Sequence, residues 1–168
     1  MGLRIILRRS MLNAIKKILP RRAKPERAAH LELGERGESA ALEYLKKCEG
    51  YEIVATNFLV PLGRGLRSRK LTGEIDIIAY DGDTLVFIEV KTRTSDEFVA
   101  VERAVDLRKQ RQIARAAHRY RQLIKVTGEP HRYDVVTVVP DKDGNRIELL
   151  RGYFDDRVFQ RSRYFNNQ

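Results

Sequence analysis

Apolar and polar positions alternate most regularly over residues 74–91, where two runs read as paired strands. Glu74 to Tyr80 and Thr84 to Lys91 flank Asp81-Gly82-Asp83, a strong hairpin signal. Alternation places Glu74, Asp76, Ile78 and Tyr80 on one face, with Ile75, Ile77 and Ala79 on the other. In the second run Leu85, Phe87, Glu89 and Lys91 alternate with Val86, Ile88 and Val90. One face is wholly apolar and the other is apolar near the turn, so these strands are expected at the centre of a sheet covered on both sides. A turn loop of two or four residues sets Asp76 opposite Glu89 or Phe87, and either way Glu74, Asp76, Glu89 and Lys91 share a face unless a bulge intervenes.

The remaining elements follow from longer periods. Leu31 to Cys48 is predicted helical, with Gly34, Gly37, Ala41, Tyr44, Leu45 and Cys48 on one face and Gly50 as the cap. Small residues at its start permit close packing. Tyr51 to Asn57 reads as a strand, and Leu59 to Thr72, with Pro61, Gly63 and Gly65, as a loop bearing Arg64, Arg67, Arg69 and Lys70. Glu102 to Val126 is a long amphipathic helix on which Arg108, Arg111, Arg115 and Arg119 form a stripe. A strand from Tyr133 to Val139, a turn over 141–145 and a short strand from Arg146 to Leu150 complete the order. Strands and helices in this order predict an α/β fold, a mixed sheet flanked by helices as αβββαβ.

A chain of 168 residues holds one domain with room for a tail. The expected division is a basic extension and linker over 1–29, a central domain over 30–155 and a tail over 156–168. No apolar run approaches the ~20 residues of a spanning helix. The net charge of +10 suggests a polyanionic partner, yet nine of the 33 basic residues fall within residues 1–27, against Glu26 alone. The rest of the chain is nearly neutral.

Residues 1–19 have the pattern of a basic amphipathic helix stopped by Pro20, which can lie on an anionic membrane, act as an organellar presequence, or form a loosely ordered extension. Arg8 and Arg9 interrupt what would be a secretory core, and the single cysteine suits a reducing compartment, so a cytoplasmic location is expected. Cys48, among apolar neighbours, is expected to be a buried thiol. His30, His118 and His131 lie far apart, with no zinc-finger spacing beside them.

Carboxylates at the end of buried strands repel one another and need a cation, a proton or a lysine. Lys91 in a sheet-end salt bridge with Glu89 or Asp76 is one explanation, a divalent metal site is a second, and metal-free acid–base chemistry is a third. Glu38, preceding Ala41, Leu42 and Leu45 on the inward side of the first helix, is either a further site carboxylate or an ordinary first-turn acid favoured by the helix dipole. Glu35 is its fallback.

Asp76 followed by Glu89-Val90-Lys91 resembles the D…(D/E)-x-K motif of the restriction-endonuclease-like superfamily. The surroundings Gly73-Glu74-Ile75-Asp76-Ile77-Ile78-Ala79 and Val86-Phe87-Ile88-Glu89-Val90-Lys91-Thr92-Arg93 resemble the YraN family, also called UPF0102, related to archaeal-type Holliday junction resolvases. Gly34-Glu35-Arg36-Gly37-Glu38, then Ala41 and Tyr44-Leu45, match its first helix. Ala104-Val105, Lys109, Arg111, Ala116-Ala117 and Tyr120 match its second, and Tyr133-Asp134-Val135-Val136 its fourth strand. The resemblance covers about residues 31 to 152. An extra residue near Glu49, the long basic loop and the N-terminal extension depart from it.

The resemblance implies a restriction-endonuclease-like core and a Mg²⁺- or Mn²⁺-dependent DNA endonuclease acting on branched or structured DNA. Asp76 and Glu89 would be metal ligands, Glu38 would assist, and Lys91 would be the catalytic lysine, with Glu74 in a supporting position. A homodimer is expected of such enzymes. The arginine stripe and Arg67, Arg69 and Lys70 would hold phosphates, although a charged helix face is as readily explained by solvation. The rival reading is a non-catalytic nucleic-acid- or protein-binding module on the same fold.

Overall fold

The computed structural model describes residues 29–64, 70–93, 104–142 and 144–162. The basic extension, Arg67 and Arg69 lie outside the described residues. Helix α1 (Ala29–Lys47) opens the fold and stops where Gly50 adopts φ +72, a left-handed conformation that glycine takes without steric cost. The Tyr51 N–H then donates to Leu45 O at 2.9 Å. Strands β1 (Glu52–Arg64), β2 (Lys70–Asp81) and β3 (Thr84–Thr92) follow, then helix α2 (Leu107–Leu123), strands β4 (His131–Asp141) and β5 (Gly144–Phe154), and a 3-10 helix over Asp156–Ser162.

The five strands form one sheet in the order β1-β2-β3-β4-β5. Neighbours are antiparallel except β3 and β4, which run parallel because α2 crosses over between them. Covering both faces explains the apolar strands. On one side Ile78, Tyr80, Leu85, Phe87 and Val135 pack against Ile113, Ala114, Ala117 and Tyr120 of α2. On the other, Ile77, Ala79, Val86, Ile88 and Val136 pack against Ala41 and Leu45 of α1. Phe58 and Phe87 meet the Tyr120 ring edge-on, with centroids 5.2 and 5.8 Å away. Among the described residues no helix is long and apolar enough to cross a membrane.

Four expectations are corrected. The span 59–72 is mostly not a loop: β1 and β2 stay paired from Glu52↔Tyr80 to Arg64↔Lys70. Pro61 is tolerated because β1 is an edge strand, and Gly63, at φ +102, absorbs a register shift. Helix α2 starts at Leu107 rather than Glu102, since the Asp106 side chain caps it by accepting from Lys109 N at 2.8 Å. Strand β5 continues to Phe154, whose ring stacks on Tyr133 at 4.6 Å. Cys48 is exposed, because α1 ends one residue before it and its side chain leaves the buried face.

Beyond β5, Val158 of the 3-10 helix joins the core beside α2. At the start of β4, Asp134 is buried yet fully partnered: it accepts from Arg132 Nε and Gly152 N, both at 2.8 Å, and from the Tyr51 hydroxyl at 3.1 Å. That anion is a structural lock.

Candidate active site

The β2–β3 ladder runs from Asp81↔Thr84 to Ile77↔Ile88, and the next register position belongs to Asp76 and Glu89. There the strands part. The Val90 N–H donates to Asp76 Oδ2 at 2.9 Å, while β3 continues along β4 to Thr92↔Val138. Strict alternation also breaks here: Ile75 packs in the α2-side core with Ile78, not in the α1-side core with Ile77. On β1 the residue between the partners of Ile77 and Ile75 is Asn57, at φ +49. Both strands are irregular where the carboxylate sits, so the simple one-face grouping of Glu74 with Asp76 is not kept, and Glu74 is exposed.

Glu89 is 2% exposed. Its Oε1 receives Lys91 Nζ at 2.7 Å and Lys109 Nζ at 2.9 Å, whereas Oε2 is buried with no hydrogen-bond partner among the described residues. The sheet-end salt bridge is therefore present, but it leaves half of the carboxylate bare. Asp76 is pushed up to about 7, first by burial and then by the negative charge of Glu89, against the pull of the Val90 N–H and Lys109. Glu38 adds a smaller upward push. Burial works against the Lys109 ammonium, but Glu89, Asp76 and Glu74 outweigh it and hold its pKa above the ordinary lysine value.

Two glycines bring the helices to this sheet end. A Cβ on Gly37 would stand 1.9 Å from Thr92 Oγ1, so glycine lets the middle of α1 seat against the end of β3; Glu38, next in line, is not a first-turn acid, because the helix begins at Ala29. A Cβ on Gly73 would stand 2.8 Å from Ala116 Cβ, so the same holds for α2 against β2. Glu38 is half-buried and near enough to act electrostatically on Asp76.

The donor set suits a hard divalent cation: a bare buried oxygen on Glu89 beside a carboxylate that burial makes reluctant to ionise alone. Among the described residues, no three or more of His, Cys, Asp and Glu gather closely enough to hold a metal. Asp76 and Glu89 would be the pair to hold such an ion, and Mg²⁺ commonly completes a pair of carboxylates with water and phosphate oxygens. Glu38 does not form a third ligand in this arrangement.

The expected phosphate-binding cations divide by what they touch. Arg108 and Arg115 are exposed, and so is Lys70. Arg111 Nε donates to Val158 O at 2.9 Å and tethers the 3-10 helix, while Arg119 Nε lies 3.4 Å from Pro61 O. Lys109, which the sequence pattern alone does not bring to the hairpin carboxylates, joins the site from α2. The available signal is its position four residues before Ile113 and seven before Ala116, a cation on the buried stripe of α2.

The sequence model of the family described as "Uncharacterised protein family UPF0102" matches residues 37–138. The chain belongs to the UPF0102 family. The match contains Glu38, Asp76, Glu89, Lys91 and Lys109. A UPF0102 protein of Koribacter versatilis is 41% identical over 138 residues, covering 82% of this chain and 87% of its own length. One from Symbiobacterium thermophilum is 42% identical over 123 residues, with 73% and 95% covered. A Bacteroides thetaiotaomicron relative is 37% identical over 132 residues, with 79% and 99% covered. This UPF0102 chain therefore spans nearly the whole length of these relatives.

Proposed function

We propose that this UPF0102 protein is a divalent-metal-dependent endonuclease that hydrolyses phosphodiester bonds in branched or structured DNA. The observation that carries the reading is the buried Oε2 of Glu89, without a hydrogen-bond partner among the described residues, next to an Asp76 that burial and Glu89 make reluctant to ionise, an arrangement that a divalent cation would relieve. The resemblance of Asp76…Glu89-Val90-Lys91 to the restriction-endonuclease-like motif supports the same chemistry.

Mg²⁺ or Mn²⁺, when bound, would lower the pKa of a water and offset charge on the phosphoryl group. Asp76 and Glu89 would hold it. Lys91, two residues from Glu89 on the same strand, has an ammonium that can leave Oε1 to orient the attacking hydroxide or a phosphate oxygen. Glu38, whose charge acts on Asp76, would assist by hydrogen-bonding a water of that shell.

The test is incubation of the purified chain with labelled linear, single-stranded and four-way-junction DNA in Mg²⁺, Mn²⁺ or EDTA, alongside Asp76→Ala and Lys91→Ala. Metal-dependent cleavage lost in both variants is expected. Cleavage that survives in both overturns the site. Binding without cleavage in every metal would favour a non-catalytic module, the reading consistent with Lys91 staying paired to Glu89.

A further inference from the structure

Lys91 and Lys109 both commit their ammonium groups to one oxygen, Glu89 Oε1, at 2.7 and 2.9 Å. Their side chains are 30% and 33% exposed while Glu89 is 2% exposed, so the two lysines stand between solvent and the buried acid. Lys109 comes from the first turn of α2 and Lys91 from β3, so two elements converge on Glu89 with partly exposed ammonium groups. We propose that Lys109 is a DNA-phosphate ligand that Glu89 sequesters until a divalent cation binds, so that cation and DNA binding are coupled through this one side chain. The inference rests on the metal-dependent reading above.

The charge balance dictates the coupling. Without a cation, the two ammonium groups offset Glu89 and Asp76, and an incoming phosphodiester finds both lysines already paired. With a divalent charge on the carboxylates, Glu89 no longer holds Lys109 strongly. A partly buried ammonium then needs a new anion, and a phosphate oxygen approaching from the exposed side of Lys109 supplies it. Arg108, the preceding residue, is exposed and outside that ion-pair cluster, so any phosphate contact it makes is indifferent to the cation.

The experiment is fluorescence anisotropy with a fluorescein-labelled four-way-junction DNA in Ca²⁺ or in EDTA, with gel analysis to show that the DNA stays intact. The native chain is expected to bind at least tenfold more tightly in Ca²⁺. Lys109→Gln should lower the ratio of Ca²⁺ to EDTA affinity by about tenfold, the size of one charge-assisted contact. Lys109→Arg should keep most of the gain, and Arg108→Gln should weaken binding equally in both conditions. Lys109→Met, which keeps the aliphatic stem, serves if the glutamine variant does not fold.

A Lys109→Gln chain that retains the Ca²⁺ gain, or that weakens equally with and without Ca²⁺, overturns the inference. A native chain with no Ca²⁺ gain overturns it too. Calorimetric titration with Mn²⁺ alone separates the two levels. Mn²⁺ binding without coupled DNA affinity leaves the metal-site reading standing, and absence of Mn²⁺ binding removes both.

Discussion

The Asp76 carboxylate accepts the Val90 backbone N–H at 2.9 Å where β2 and β3 separate, so one side chain both ends the ladder and enters the site. Asp76→Asn keeps an acceptor for Val90 and should fold with a melting temperature close to native. Asp76→Ala leaves that N–H unpaired and should lose about 1–3 kcal/mol in chemical denaturation. Both should abolish metal-dependent cleavage, which distinguishes the charge from the hydrogen bond.

The raised Asp76 pKa has a definite sign. Its value is pushed from the ordinary carboxylate range up to about 7 by burial and by Glu89, with Glu38 adding to the push and Lys109 opposing it. The folded, metal-free protein therefore binds a proton that the unfolded chain releases near pH 4. This group's contribution to stability is present below that point and declines as pH rises through about 7. Unfolding measured from pH 4 to 8 in EDTA should show a decline that Asp76→Asn removes. Mn²⁺ affinity, measured by calorimetry, should strengthen from pH 6 to 8.

Gly37→Ala should force α1 away from Thr92, since the added carbon would lie 1.9 Å from Oγ1. A loss of about 1–3 kcal/mol is expected, with cleavage reduced because Glu38 moves with the helix. Adding Thr92→Ala should restore part of the melting temperature. Stability unchanged in Gly37→Ala would show that the contact is not required.

At the other face, Gly73→Ala meets Ala116 Cβ at 2.8 Å and Leu62 Cδ1 at 3.2 Å. Overpacking of about 1–3 kcal/mol is expected. Ala116→Gly in the same chain should recover part of it, as a double-mutant cycle by thermal melting would show.

Asp134 offers a contrast to Glu89, because every contact it makes is internal. Asp134→Ala removes the partner of Arg132, Tyr51 and Gly152 N, and should cost about 3–5 kcal/mol in denaturant unfolding. Any remaining folded protein should bind Mn²⁺ as the native chain does, since the Asp134 network shares no hydrogen bond or ion pair with Asp76, Glu89 or Lys91.

The central strands and the approach of Asp76 to Glu89 at the end of their ladder were legible in the sequence because each depends on local facts: a short turn fixes the β2–β3 register whatever the rest of the chain does. Glu38 was legible as inward-facing for the same reason, from helical period. The span 59–72 was not, because Pro61 and the glycines are turn residues in isolation and become strand residues only when β2 lies alongside. Cys48 depends on where α1 stops, and Arg111 on where Val158 packs.

Fold class and family are readable along the chain, as is the gathering of Asp76 and Glu89 at the open end of one hairpin. Tertiary structure alone decided that Asp76 breaks the alternation of its strand, that Glu89 keeps one oxygen bare, and that Lys109 reaches it from another element. The physical reason is range. Alternation and helical period are set between near neighbours, whereas a buried charge takes its partners from whatever segments the packing of Gly37 on Thr92 and Gly73 on Ala116 brings against it.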